Sequence, residues 1–153
     1  MEPMTRRQIL VALSTALAAG VRTAAQTPPS VRVYRDPTCG CCGLWVEHLR
    51  KAGFAATVTE VQDIGAIKTK YGVPPRVSSC HTALVGNYVL EGHVPAEDVR
   101  RLLKERPDIA GIGTPGMPIG SPGMEVAGMK PQAYDVLAFD KKGATRVFAS
   151  HGK

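Results

Sequence analysis

The segment Val31-Arg32-Val33-Tyr34-Arg35 alternates apolar and polar side chains with a period of two, the pattern of a strand with one buried face. Asp36-Pro37-Thr38 breaks it, and a helix is predicted from Cys39 to Ala52. Within that helix Trp45, Leu49 and Ala52 fall at i, i+4 and i+7 with Val46 beside them, and Gly53 is placed to end it. A second strand is predicted at Ala55–Val61, and then a short helix capped by Asp63, with Ile64, Ile67 and Tyr71 on one face and Gly72 at its end. Beyond Val73-Pro74-Pro75, strands at Thr82–Val85 and Tyr88–Leu90 flank the turn Gly86-Asn87. Pro95 opens a further helix with Glu97 and Asp98 in its first turn, running to Glu105. Asp135–Phe139 and Thr145–Ala149, on either side of Lys141-Lys142-Gly143, form a C-terminal hairpin. The order is β-α-β-α-β-β-α and then the hairpin, which is an α/β fold with a mixed sheet and flanking helices.

Two stretches fall outside this pattern. Between the last helix and the hairpin, Pro107 to Pro131 is a 25-residue loop holding six glycines and five prolines. A loop of that length in a small domain is usually functional or disordered. Met117, Met124 and Met129, each preceded by glycine, lie in it, and no methionine occupies the predicted helices or strands. The other stretch is the N-terminus. Arg6-Arg7 precede an uncharged, mostly apolar run from Ile9 to Val21, and Thr23-Ala24-Ala25 follows. The run is 13 residues, short of the roughly 20 needed to span a membrane. Residues 1–25 are therefore assigned to an export signal of the twin-arginine type, 26–30 to a linker and 31–153 to the folded domain. The expected location is the periplasm.

Composition narrows the function. The chain is 44% apolar and 21% charged, which is globular. Its net charge is +6, but the basic residues are scattered and the eight aromatics are not interleaved with them, which argues against nucleic acid as a partner. The cysteines carry more information. Cys39-Gly40-Cys41-Cys42 follows a strand and opens a helix, and Cys80 stands apart, next to His81. Cys39 and Cys42 have the spacing of a thiol–disulfide exchanger at a helix N-terminus, where thiolate is favoured, and this placement with the element order argues for a thioredoxin-like fold. In that fold the loop before the third strand packs against the cysteine turn, so Cys80 is expected beside the other three. Cys41 would interfere with a simple dithiol pair, whereas a soft ion such as Cu(I) neutralises crowded thiolates, and bridging sulfurs in a multicopper cluster tolerate adjacency. A mononuclear zinc site and two plain structural disulfides are the alternatives.

Taken together, Cys39-Gly40-Cys41-Cys42, Ser79-Cys80-His81-Thr82, Glu91-Gly92-His93-Val94-Pro95 and Gly116-Met117-Pro118 through Met124-Glu125 resemble the exported copper-resistance proteins of the CopG type. The resemblance implies a thioredoxin-like fold, handling of copper or silver, and a cysteine site able to hold several copper ions. The expected metal ligands are Cys39, Cys41, Cys42 and Cys80, with His81, Met117, Met124 and His93 as further ligands or supporting donors. His48 is assigned to a solvated helix face, His151 receives no role, and Trp45 is the core anchor beneath the cysteine helix. The leading function is periplasmic Cu(I) binding in copper tolerance, with copper-linked redox activity compatible with it. The competing one is a thiol–disulfide oxidoreductase with Cys39 as nucleophile and Cys42 as resolver. Expected partners are the metal ion and other periplasmic copper-handling proteins. No membrane is expected after signal removal, and the chain is expected to act as a monomer.

Overall fold

The computed structural model describes residues 27–152; the expected export signal lies outside them. A seven-stranded mixed sheet runs in the order β2-β1-β3-β4-β5-β6-β7. Its strands are β1 (Ser30–Arg35), β2 (Ala55–Glu60), β3 (His81–Val85), β4 (Tyr88–Glu91), β5 (Gly111–Gly113), β6 (Tyr134–Phe139) and β7 (Thr145–His151). The helices are α1 (Gly40–Lys51), α2 (Ile64–Lys70) and α3 (Ala96–Glu105), with a 3₁₀ turn at Pro75–Val77. β1 and β2 are parallel, as are β4 and β5, and the remaining pairs are antiparallel.

The sequence pattern accounts for most of this. Val31 and Val33 are fully buried and alternate with exposed Ser30 and Arg32, and Ser30, placed in the linker by sequence, opens β1. Adjacent residues on β4 point to opposite faces: Leu90 joins the core of Trp45, Leu49, Val99 and Leu102, while Val89 packs with Val77 and Phe139. α1 and α3 thus cover one face of the sheet. Asp63 caps α2 by accepting from the Ala66 N–H at 3.0 Å, as expected. Pro95 sits one residue earlier than predicted, as the N-cap of α3, with its carbonyl accepting from Asp98 and Val99.

The strand β5 corrects the reading of 107–131 as one loop. Its sequence is Gly-Ile-Gly, so only Ile112 carries a side chain to reveal a strand. A Cβ at Gly111 would lie 2.2 Å from the Val89 carbonyl oxygen, and one at Gly113 would lie 2.3 Å from Val77 Cγ1. The glycines let the strand slot between β4 and β6, with Ile112 fully buried. Two histidines also depart from expectation. His48 is half-buried and its Nε2 accepts from the Ala96 N–H at 3.0 Å, joining α1 to the start of α3. His151 Nε2 lies 2.7 Å from Asp98 Oδ2, fastening β7 to α3, and its ring stacks on Tyr134. Both imidazoles bond to backbone or carboxylate groups that only the assembled fold supplies.

Candidate metal centre

The register of the sheet gathers one end of the molecule. Arg35 at the end of β1 pairs with His81 at the start of β3, and Thr82 pairs with Glu91 at the end of β4. The turn leaving β1 and the segments entering β3 and leaving β4 therefore meet. In the first, Asp36 Oδ1 accepts from the Thr38 N–H at 2.8 Å and its hydroxyl at 2.5 Å, and the Cys39 N–H bonds to the Asp36 carbonyl. Arg35 Nη1 donates to the Cys39 carbonyl at 3.1 Å. Cys39 is then the N-cap of α1, which has no side-chain cap and no acidic residue in its first turn, so Cys39, Cys41 and Cys42 sit at the electropositive end of the helix.

Cys80 arrives opposite, as the sequence implied. The Sγ atoms of Cys39, Cys41, Cys42 and Cys80 all lie within 4.8 Å of one another. Cys39 and Cys42 are joined by a disulfide; Cys41 and Cys80 are free. Cys41 Sγ is 3.6 Å from Cys39 Sγ, Cys80 Sγ is 3.6 Å from Cys42 Sγ, and the two free sulfurs are 4.0 Å apart. Cys42 is fully buried and the other three are partly exposed. Burial, reinforced by nearby Cys41, pushes the Cys80 thiol up to about 12.

Two imidazoles flank Cys80. His93 Nε2 is 3.1 Å from its Sγ and His81 Nδ1 is 3.3 Å away. His93 Nδ1 sits 2.8 Å from the Pro122 carbonyl, and since a carbonyl only accepts, that nitrogen carries the proton. His81 lies against Trp45 and edge-on to His93, with centroids 4.4 and 5.1 Å away. Burial holds both rings below the ordinary histidine range, His81 far below it with the charges of His93 and Lys68 adding to the effect. Trp45 is the expected anchor, its indole N–H donating to the Val94 carbonyl at 2.8 Å.

The methionine loop divides. Met117 is half exposed and its Sδ is 4.0 Å from Cys41 Sγ. Met124 makes no hydrogen-bonding contact with a cysteine among the described residues; its backbone closes a turn with Gly120 and Ser121. Met129 is exposed. The loop is held close by Ser79 Oγ donating to the Gly116 carbonyl at 2.5 Å and by Gly123, whose backbone leaves room for α1. A Cβ on Gly123 would come within 2.8 Å of Trp45 N and 3.0 Å of the Cys41 carbonyl, and its φ is +85°.

One supporting residue carried no chemical role in the sequence reading. Glu91 is fully buried and pairs with Lys68, while its carboxylate accepts from the Ser79 N–H at 2.7 Å and the Thr82 hydroxyl at 2.6 Å. It therefore positions the segment carrying Cys80. Its trace in sequence is an acidic residue ending an otherwise apolar strand, a weak signal that exposed strand ends share.

A protein-family model described as "Protein of unknown function, DUF411" matches residues 77–124, the span from the Cys80 segment through Met124. Two solved structures extend the likeness over the cysteine turn. They are forms 2 and 1 of a protein titled copper resistance protein CopG, 42% and 41% identical to this chain, each with a TM-score of 0.77. Each alignment covers 82% of this chain and 99% of the other. No curated protein matches the chain. The chain belongs to the CopG family of copper-resistance proteins.

Proposed function

We propose that the chain binds Cu(I) as cargo through the thiolates of Cys39, Cys41, Cys42 and Cys80, in the periplasm, as part of copper tolerance. The observation that carries this is the convergence of Cys80, from another part of the sequence, on three cysteines already crowded at a helix start. Soft sulfur donors select Cu(I), and the N-terminal end of α1 favours negative charge at that spot. Four sulfurs so close can bridge as well as terminate, so the capacity is more than one ion per chain. The CopG titles of the relatives point to the same metal. Met117 would add a neutral thioether at the rim. Silver, a soft monovalent ion, suits the same donors. Export rests on the N-terminal arginine pair and apolar run; in the described residues no helix is long and apolar enough to cross a membrane.

Reduction of the Cys39–Cys42 bond precedes loading, because a disulfide sulfur is a poor ligand. The test is a titration of the reduced protein against a competing Cu(I) chelator. More than one Cu(I) retained per chain is expected; none retained overturns the reading, and one alone removes the cluster. Oxidised protein should hold far less.

A thioredoxin-like exchanger is the second reading, favoured by the disulfide at the head of α1 between a partly exposed Cys39 and a buried Cys42. In that role the reduced Cys39 thiolate attacks an external disulfide, releasing one substrate thiolate. Cys42 then displaces the other and restores the Cys39–Cys42 bond. The β2-β1-β3-β4 arrangement with cysteines at the helix start supports the thioredoxin-like description.

A further inference from the structure

β2 ends the sheet, and its outer edge has no partner strand among the described residues. The Ala55 N–H bonds to the Pro29 carbonyl and the Val61 N–H to the Arg35 carbonyl, so Ala55, Thr57, Thr59 and Val61 turn their backbone groups toward β1. The N–H and C=O groups of Ala56, Val58 and Glu60 therefore point away from the sheet. Arg50 reaches the Ala56 carbonyl with its guanidinium at 3.0 and 3.3 Å. The opposite edge is guarded: the pairing of β7 with β6 shifts register at Val136 and Leu137, and Arg101 donates to the Phe148 carbonyl at 2.9 Å. β2 carries no bulge, proline or lysine to discourage pairing, and its Thr57, Val58 and Thr59 are β-branched.

We propose that this edge is where two copies of the chain pair, β2 against β2, antiparallel about a two-fold axis at Val58. The register follows from self-complementarity. With Val58 opposite the partner's Val58, each outward N–H meets the other copy's carbonyl. Ala56 then faces the partner's Glu60, on the side of the sheet where Ala56 shares the core with Leu49 of α1. Arg50, already at the Ala56 carbonyl, lies beside that carboxylate, and the two-fold axis repeats the ion pair. On the other side of the sheet Thr57 meets the partner's Thr59, a favourable cross-strand match. Along the same edge runs a groove of about 450 Å³, lined by Val46 and Val58 together with Arg35, Glu47, Arg50 and Glu60. Its charges are two of each sign, as a surface that must match itself requires, and a partner of one strong charge finds no complement there.

The pairing touches the cysteine turn from behind. Glu60 bonds to Arg35 at 2.9 Å, and Arg35 holds the Cys39 carbonyl. No cysteine lines the groove, and the antiparallel arrangement directs the two cysteine turns to opposite ends of the pair, so both stay open. The inference replaces the monomer expected from sequence and does not rest on the copper reading.

The test is sedimentation of the metal-free full chain over a concentration series. Two short strands and a groove bury less than the about 1,200 Å² of a stable interface, so a dimer with a dissociation constant of about 10–100 μM is expected. Val58→Lys sets like charges opposite each other on the axis and should weaken it at least about 10-fold, while the melting curve at low concentration stays near that of the wild type. Arg50→Glu and Glu60→Arg should each weaken the dimer alone, because each opposes like charges twice. Mixed together, the two variants restore both ion pairs and should form a heterodimer at the wild-type concentration. Amide exchange over Ala55–Val61 should slow as wild-type protein is concentrated. A chain still monomeric at about 1 mM overturns the proposal and leaves the edge to a strand of another protein. A dimer unaffected by Val58→Lys, or a mixture that pairs no better than either variant alone, overturns it as well.

Discussion

Gly123 lies outside the cysteine group yet sets how closely the methionine loop approaches it. Its positive φ and the 2.8 Å approach to Trp45 N mean that Gly123→Ala must displace either the loop or the first turn of α1. The expected cost is about 1–3 kcal/mol in thermal or denaturant unfolding, typical of overpacking, with reduced copper loading if Met117 moves away. His48 bears on pH. Burial lowers its pKa below the ordinary value, with Glu125 and Glu97 opposing and Arg100 reinforcing the shift. The unfolded chain then binds more protons than the folded one as pH falls through about 6.5, so stability drops on acidification. Buried His81 and His93 act with the same sign. His48→Gln, whose amide oxygen can still accept from Ala96, should flatten part of that slope in melts of the metal-free protein between pH 7 and 5. An unchanged slope would remove His48 from this account. The sequence made Cys39, Cys41 and Cys42 legible because three thiols within four residues have few innocuous explanations, and Cys80 through its place in the loop before the third strand. It misjudged His48 and His151 because their partners, the Ala96 N–H and Asp98, lie far away in the chain.

Most elements were legible for a simple reason: Val31 and Val33, or Trp45 and Leu49, repeat at the period of the structure they form. β5 was not, since glycine leaves no periodicity to detect, and neither was the clasp between the Cys80 segment and the loop, which runs from Ser79 Oγ to a backbone carbonyl. Of the methionines expected near the cysteines, Met117 makes a direct contact, its Sδ 4.0 Å from Cys41 Sγ. Met117→Leu should therefore lower the rate or affinity of Cu(I) loading, while Met124→Leu changes little, since both swaps keep volume and apolar character. Equal effects in the two variants, measured by chelator competition, would contradict this division. At the end of β4, Glu91→Ala leaves the Lys68 ammonium without its buried partner and frees the Ser79 N–H. A loss of about 3–5 kcal/mol is expected in denaturant unfolding, the scale for breaking a buried ion pair. A loss below about 1 kcal/mol would mean that water replaces the carboxylate.

Across the whole molecule, the antiparallel pairing of β1 with β3 and β3 with β4 collects chemistry that the sequence spreads from Cys39 to Met117. The family likeness covers that entire span, and the sheet continues beyond it into the hairpin of β6 and β7, clamped to α3 through His151 and Asp98. The central claim is that the four cysteines serve as one metal-binding group and not as a dithiol pair with two bystanders. Cys41→Ser separates these directly, because it leaves the Cys39–Cys42 pair intact. The measurement is Cu(I) capacity of the reduced variant beside that of the wild type, with insulin reduction followed on the same samples. The account predicts a lower copper capacity and no protection of a copper-sensitive strain. Unchanged copper binding, with insulin reduction retained or improved, would contradict it.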